Sequence, residues 1–465
     1  MKYLAILKDS IREAIDSKVM YVLFVLSTIS VLVVATLSFK PLPAQTTFEQ
    51  FFPSQKLHGL SVMFVALNHQ EINNAGLDEG DLRSKKKGGD EIMEKLALLH
   101  EFRLEKVKLL KGEADAPESE YMVTLTETFP RIGANGDKDK HAKAGAARVR
   151  LIFQKAEDLG FLTIQDIVGE FQPPADGNGA SRFYYHVTLQ GNSQTVRMWS
   201  HEPSLLFGAA PLEILAAPLA YQLHVLGQTV LSFGAWVAIL VGVVITSFFI
   251  PSMLSKGTVD MLLVKPIQRW ALLLYKYVGG LTFVFLNTAY AVVGLWLVVG
   301  LRTGVWANGL ILLVVTITFY FAILYAVSTF VSVMTRNTIA TIIVTILAWF
   351  LFFAVGLANK NFDLIARAEA RQQKREQNDG PAEGRWGNSY TAQAVRVLHT
   401  ITPRTEELNQ LNERITYYAF MTGSFTQMWK FDTGEASAWE SLLVSFSWIG
   451  VFLGLGCVFF SFKNF

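Results

Sequence analysis

Six stretches of the chain are long, apolar and free of any Asp, Glu, Lys, Arg or His: 19–39, 227–250, 277–301, 305–333, 338–358 and 441–462. A helix needs about 20 apolar residues to cross the hydrocarbon core of a bilayer, and each stretch reaches that length. Their apolarity is continuous, where a membrane-barrel strand is shorter and alternates, so a helix that satisfies its own backbone is the spanning form. Trp270, Tyr275, Tyr277, Trp306, Trp439 and Trp448 sit near the ends, as interfacial anchors do. The composition agrees, with only 17% of the 465 residues charged, against about 25% in soluble globular chains. Disorder is excluded by the richness in aromatic and apolar residues. The single cysteine, Cys457, excludes a scaffold of intrachain disulfides, and a net charge of +2 leaves no nucleic-acid footprint.

The first stretch reads as an uncleaved signal anchor. Its apolar run is too long for a cleaved signal, and Asp9, Glu13 and Asp16 precede it. Over 1–18, Leu4, Leu7, Ile11 and Ile15 recur at helical spacing with Lys8, Asp9, Arg12 and Glu13 opposite, which predicts a flat amphipathic helix on the cytoplasmic face. With that end inside, the inner side collects 1–18, 251–276, 334–337 and 463–465, which carry ten basic and four acidic residues. The rest of the chain is then net acidic, and this asymmetry predicts both termini in the cytoplasm. The expected fold is an α-helical integral membrane protein with six transmembrane helices, and a large mixed α and β extracytoplasmic domain, 40–226, inserted between helices 1 and 2. A second extracytoplasmic segment, 359–440, is expected to be helical and broken, and the expected location is a bacterial inner membrane.

Within 40–226 the pattern predicts a helix over 91–111, strands over 121–127, 147–153, 182–189 and 195–199, and loops over 76–90, 131–145 and 172–181. Within 359–440 it predicts helices over 362–377, 391–399 and 405–420, with Pro403 between the last two.

No catalytic motif is present: there is no G-x-x-x-x-G-K-[ST], no G-x-S-x-G and no H-E-x-x-H. The eight histidines, His58, His69, His100, His141, His186, His201, His224 and His399, lack metal-ligand spacing and read as surface or satisfied side chains. The uncharged spans argue against an ion-coupled carrier, which places ionisable groups in the membrane. Asn287, Thr288, Ser328 and Thr345 remain for hydrogen bonds within or between helices. Energy for transport would therefore enter from outside the spans.

The loop 251–276 is the informative one. Residues 252–263 can form a short amphipathic helix with Met253, Val259 and Leu262 as contacts; Pro266 stops it, and Arg269 and Trp270 mark the return to lipid. Spacing alone leaves two readings open, a handle for a moving soluble partner or an ordinary basic loop. Small residues at four-residue spacing, Gly234, Ala238 and Gly242 in one span and Gly450 and Gly454 in another, permit close helix packing within the chain or at a dimer seam.

Gly257, Thr258, Leu262, Leu263, Lys265, Pro266, Arg269, Lys276 and Gly279 match the loop after the second span of ABC-2 type transporter permeases, which the chain resembles. The subgroup it most resembles is the permease group labelled as involved in multi-copper enzyme maturation. The likeness covers the six spans, the inner loop and the last outer segment around Thr402-Pro403, but not 40–226. It departs at Met253-Leu254-Ser255-Lys256, where many members carry a Glu. The resemblance implies a permease subunit, an exporter, with no nucleotide-binding domain and no cofactor of its own. ATP and Mg would bind a separate ABC ATPase, present in two copies, beside a second permease, same or related. Gly257, Thr258, Asp260, Leu262, Leu263, Lys265, Pro266 and Arg269 would form the coupling helix, with Lys265 and Arg269 anchoring it and Pro266 setting its bend. The alternative is a non-transporting scaffold, sensor or force-transmitting subunit that displays 40–226.

Overall fold

The computed structural model describes residues 18–54, 60–63, 65–67, 97–127, 138–172, 182–212, 217–253, 268–376, 389–423 and 438–462. The expected amphipathic helix over 1–18 lies outside them apart from Lys18, as do the expected loop 76–90 and most of 172–181.

The chain opens with helix α1 (Lys18–Ala35), strand β1 (Ser38–Pro41), helix α2 (Ala44–Glu49) and a small ribbon of β2 (Pro53–Ser54) and β3 (Leu60–Ser61). There follow β4 (Phe102–Lys111), β5 (Glu120–Glu127), α3 (Lys138–Asp158), β6 (Leu162–Gln172) and β7 (Arg182–Gly191). A 3-10 turn (Thr195–Arg197) leads to β8 (Ser200–Leu205), β9 (Ala210–Pro211) and β10 (Ala217–Pro218). The described helices that follow are α4 (Leu219–Met253), α5 (Arg269–Thr303), α6 (Leu312–Thr335), α7 (Thr338–Glu376), α8 (Tyr390–Ile401), α9 (Thr405–Met421) and α10 (Ala438–Phe462).

Four described helices are long and apolar enough to cross a membrane: Arg269–Thr303, Asn308–Thr335, Thr338–Ala366 and Glu440–Phe462. Among the described residues of α1, Tyr21–Ala35 is a shorter apolar helix. α6 is the hub. It packs against α4, α5, α7 and α10, and Phe321, Ile323, Leu324, Tyr325 and Ala326 are buried around its whole circumference. The outward faces of α1, α5, α7 and α10 stay apolar, with Leu32, Leu286, Leu347 and Phe446 exposed. Such faces are unfavourable in water and natural against lipid. The polar residues in the bundle bond within it: Ser27 donates to Asn287 at 3.3 Å, Ser247 and Ser328 share a bond at 3.2 Å, and Thr345 donates to the Thr341 carbonyl at 2.7 Å.

A four-stranded antiparallel sheet, ordered β4-β5-β7-β6, forms the core of the domain inserted between α1 and α4, the expected outer domain. Val123, Leu125, Phe183, Tyr185 and Val187 point to one face, where α3 covers them with Val149, Phe153 and Ala156. Residues 147–153 form the middle of α3 rather than a strand, and 138–145 form its start rather than a loop. The reason lies in a stripe longer than the strand-like window: Gly145, Val149, Ile152, Phe153 and Ala156 are buried together, at helical spacing. The expected helix 91–111 gives way to the edge strand β4 over its last ten residues. Arg103, Lys106 and Lys108 pair across from Thr126, Thr124 and Met122 in that strand, a charged edge that deters further strand pairing. The expected strand 195–199 is the 3-10 turn, and β6, bounded at Leu162 by the Gly160 turn, was not anticipated.

A second sheet ties this domain to the bundle. β1, leaving α1, and β10, leading into α4, both pair antiparallel with β8. One strand thus holds the outgoing and returning chain together. Trp199, fully buried just before β8, donates its indole N–H to the Leu42 carbonyl at 2.8 Å, and its own carbonyl accepts from Leu219 N at 3.0 Å.

His201 in β8 is buried, with Nδ1 2.8 Å from the Trp199 carbonyl. Burial holds its imidazole below the ordinary range, outweighing that bond. Below about pH 6.5 the unfolded chain therefore takes up a proton that the folded chain resists. Stability is full above that value and falls as the pH drops through it towards the lowered folded value. His201→Gln is expected to flatten this part of the profile, as read by thermal unfolding of the purified protein between about pH 7.5 and 5.

Candidate functional sites: the inner loop, the outer cap and the joint between them

Of the expected coupling residues, Arg269 alone is described; Gly257, Thr258, Asp260, Leu262, Leu263, Lys265 and Pro266 lie outside the described residues. Arg269 is the first residue of α5, with Gln268 in extended conformation at the N-cap. The turn between α6 and α7 is well built. Arg336 takes a left-handed conformation that ends α6, and Asn337 caps α7 by accepting from Ile339 N at 2.9 Å.

Close helix approaches occur at particular glycines. A Cβ at Gly242 would lie 2.9 Å from the Phe321 ring, which brings α4 tightly onto α6. A Cβ at Gly280 would lie 2.5 Å from the Tyr325 hydroxyl, an approach between α5 and α6 that spacing did not single out. Gly234 and Ala238 belong to α4, where the side chains of 231–238 lie outside the description. At Gly450 and Gly454 a Cβ would meet nothing within 4 Å, so no described helix of this chain packs closely there.

The described parts of 359–440 form a cap at one end of the bundle. α7 continues without interruption past its apolar part to Glu376, because no proline breaks it. α8 and α9 then fold back, joined at Pro403. Arg404, buried at the start of α9, reaches Glu440 of α10 at 2.7 Å and Glu407 at 3.7 Å. Ser441 donates to the same Glu407, and His399 approaches it at 3.4 Å. Lys360 of α7 pairs with Glu406 at 3.2 Å, and Arg396 of α8 with Asp363 at 3.5 Å. These pairs join α7, α8, α9 and α10 at one end of the bundle.

The outer domain grips this cap at its far end. Arg197, in the 3-10 turn, is buried and donates to the carbonyls of Ala419, at 3.3 Å, and Phe420. These are orphan acceptors at the C-terminus of α9, where a cation also faces the favourable end of the helix dipole. Gln194 accepts from Arg197 Nε at 2.8 Å, and burial pulls the guanidinium down to about 10. Nearby, Tyr417 of α9 donates to the Leu67 carbonyl at 3.1 Å. Sequence reasoning missed Arg197 because nothing local distinguishes it from an ordinary surface arginine.

A buried charged group also sits inside the outer domain. Glu127 accepts from Arg148 at 3.0 Å and from Tyr185 at 3.3 Å, and His141 lies 2.8 Å from it. Arg148 also reaches Glu101. Every member is committed to another, and the group fastens α3 to the sheet.

A helical bundle with a strand-clamped outer domain and a capped end defines a multi-pass membrane protein. The sequence pattern of the family described as ABC-2 family transporter protein matches residues 4–464, nearly the whole chain. The protein therefore belongs to the ABC-2 transporter family, as a membrane component whose family implies an ABC ATPase partner. The match includes 40–226, beyond the reach of the resemblance seen in the loop motif. A comparison with curated proteins finds no match.

Proposed function

We propose that the chain is the membrane-spanning permease subunit of an ABC-2 exporter, energised by a separate ATPase that docks on residues 257–269. The observation that carries this reading is the family match across residues 4–464. In this reading α1 and α4 join the four candidate spans to make six, with both termini in the cytoplasm and 40–226 outside. The excess of basic residues on the short inner segments supports that orientation. ATP and Mg bind the ATPase, which is present in two copies beside a second permease, same or related. Gly450 and Gly454 lie open on α10 for such a neighbour. Gly257, Thr258, Asp260, Leu262 and Leu263 form the seated surface, Lys265 and Arg269 anchor it, and Pro266 sets its bend.

The test is a pulldown of the solubilised protein from its native membrane, beside a variant in which 257–269 is replaced by a neutral Ser/Gly linker. A soluble ATPase is expected with the intact chain and lost with the variant. If the intact chain brings down no ATPase under mild conditions, the reading fails.

A second reading, transmission of force to the outer domain instead of passage of a substrate, is favoured by the Arg197 joint. It links the outer domain directly to a helix packed on α4 and α6.

A further inference from the structure

The turn between β8 and β9 combines strain, exposure and position. Leu206 and Phe207 have φ of 52° and 58°, and Gly208 follows at 102°. Two bulky L-residues in succession thus occupy the left-handed region that such residues avoid. Their side chains gain no burial from it within the chain, since Leu206 is 62% and Phe207 68% exposed.

The turn is nevertheless held firmly. Phe207 N donates to the Thr36 carbonyl at 2.8 Å, and the β8–β9 pairing closes its base at Leu205 and Ala210. Arg302 stacks over the Phe207 ring at 5.2 Å while donating to the Leu37 carbonyl at 2.9 Å. Thr36 and Leu37 directly follow the last residue of α1, and Arg302 lies in the last turn of α5. The turn therefore stands at the level where two apolar helices end. On the same stretch, Trp296 and Trp306 meet edge to face at 5.0 Å, as interfacial tryptophans would.

We propose that residues 205–209 form a membrane-anchoring finger. Leu206 and Phe207 insert into the interfacial layer of the lipid bilayer and pin the sheet domain against its surface. Lipid is the occupant that fits, because the apolar tips stand against the ends of α1 and α5, where Leu32 and Leu301 are themselves exposed. The Arg302 guanidinium against the Phe207 ring suits the phosphate level. The inference rests on α1 and α5 being membrane spans, and a control in α5 separates failure of that reading from failure of the finger.

The test uses the full chain with Cys457→Ser, reconstituted into phosphatidylcholine and phosphatidylglycerol vesicles. A nitroxide is attached at Phe207→Cys, with Leu286→Cys in mid-α5 and Glu202→Cys in β8 as controls. Collision with dissolved oxygen reports lipid, and collision with a water-soluble nickel chelate reports solvent. The Phe207 label is expected to favour oxygen over nickel, shifted from the Glu202 value towards the Leu286 value. A Phe207 label matching Glu202 overturns the finger, and so does one shielded from both reagents, which would mean that protein covers it. A solvent-like Leu286 label removes the span reading, and the finger with it. A paired Leu206→Asn, Phe207→Asn chain, which keeps residues tolerant of the left-handed backbone, is expected to refold and to gain nickel access at a label on Ala209→Cys.

Discussion

Gly145→Leu is expected to prevent α3 from seating on the outer sheet. Even a Cβ at this position would lie 1.9 Å from the Tyr185 hydroxyl and 2.4 Å from its ring. Tyr185 cannot swing aside: it is fully buried, bonds Glu127 at 3.3 Å and packs edge-on against Phe102 at 5.6 Å. Alanine would gain about 1 kcal/mol of helix propensity over glycine. Overpacking costs about 1–3 kcal/mol, and more where neighbours are fixed. Gly145→Ala is therefore a net loss of up to about 2 kcal/mol, and Gly145→Leu exceeds about 4 kcal/mol, in the range reserved for gross packing failure. Pulse proteolysis of the full chain in nanodiscs reads both. Tyr185→Ala, which removes the obstacle, is expected to make the Gly145→Ala loss smaller in the double variant than the single losses would add to.

Arg197→Met is expected to separate the outer domain from the cap. It leaves the Ala419 and Phe420 carbonyls without their donor, at about 1–3 kcal/mol for each buried acceptor left unsatisfied. Removing a buried cation recovers part of this, because its desolvation already opposes folding. The net loss is about 2–4 kcal/mol, confined to the joint rather than to either core. Hydrogen exchange should rise in 405–421 and in 195–199 while the sheet β4-β5-β7-β6 keeps its protection. Equal loss of protection across the sheet would show that Arg197 stabilises the domain as a whole instead of the joint. Coupling to the ATPase, measured as stimulation of hydrolysis by the permease, is expected to fall with it if force passes through this contact.

The membrane class and the ABC-2 family were legible in the residues. A span is specified by a local property, about 20 consecutive apolar residues, and lipid imposes that requirement whatever the neighbours are. The hairpin-like breaks were legible for a similar reason: Pro403 separates α8 from α9, and the Met334–Asn337 segment holds the turn between α6 and α7. Strands β5 and β7 were also readable, since buried and less buried residues alternate in β5 as far as Leu125 and along β7 as far as Leu189.

Tertiary structure decided the rest. In α3, Arg148, Val149, Arg150, Leu151 and Ile152 look strand-like in a short window. The sheet face made by Val123, Leu125 and Val187 selects the helical stripe instead. β4 becomes a strand because β5 offers it an open edge, a partner that no local pattern displays. Arg197 finds Phe420 across 223 residues, and Phe207 finds Arg302 across nearly a hundred. The sequence by itself determined where the chain enters an apolar solvent, because that choice is made residue by residue against lipid. The joint and the finger depend on backbone acceptors and cations brought together by distant segments, and that proximity exists only once the chain has folded.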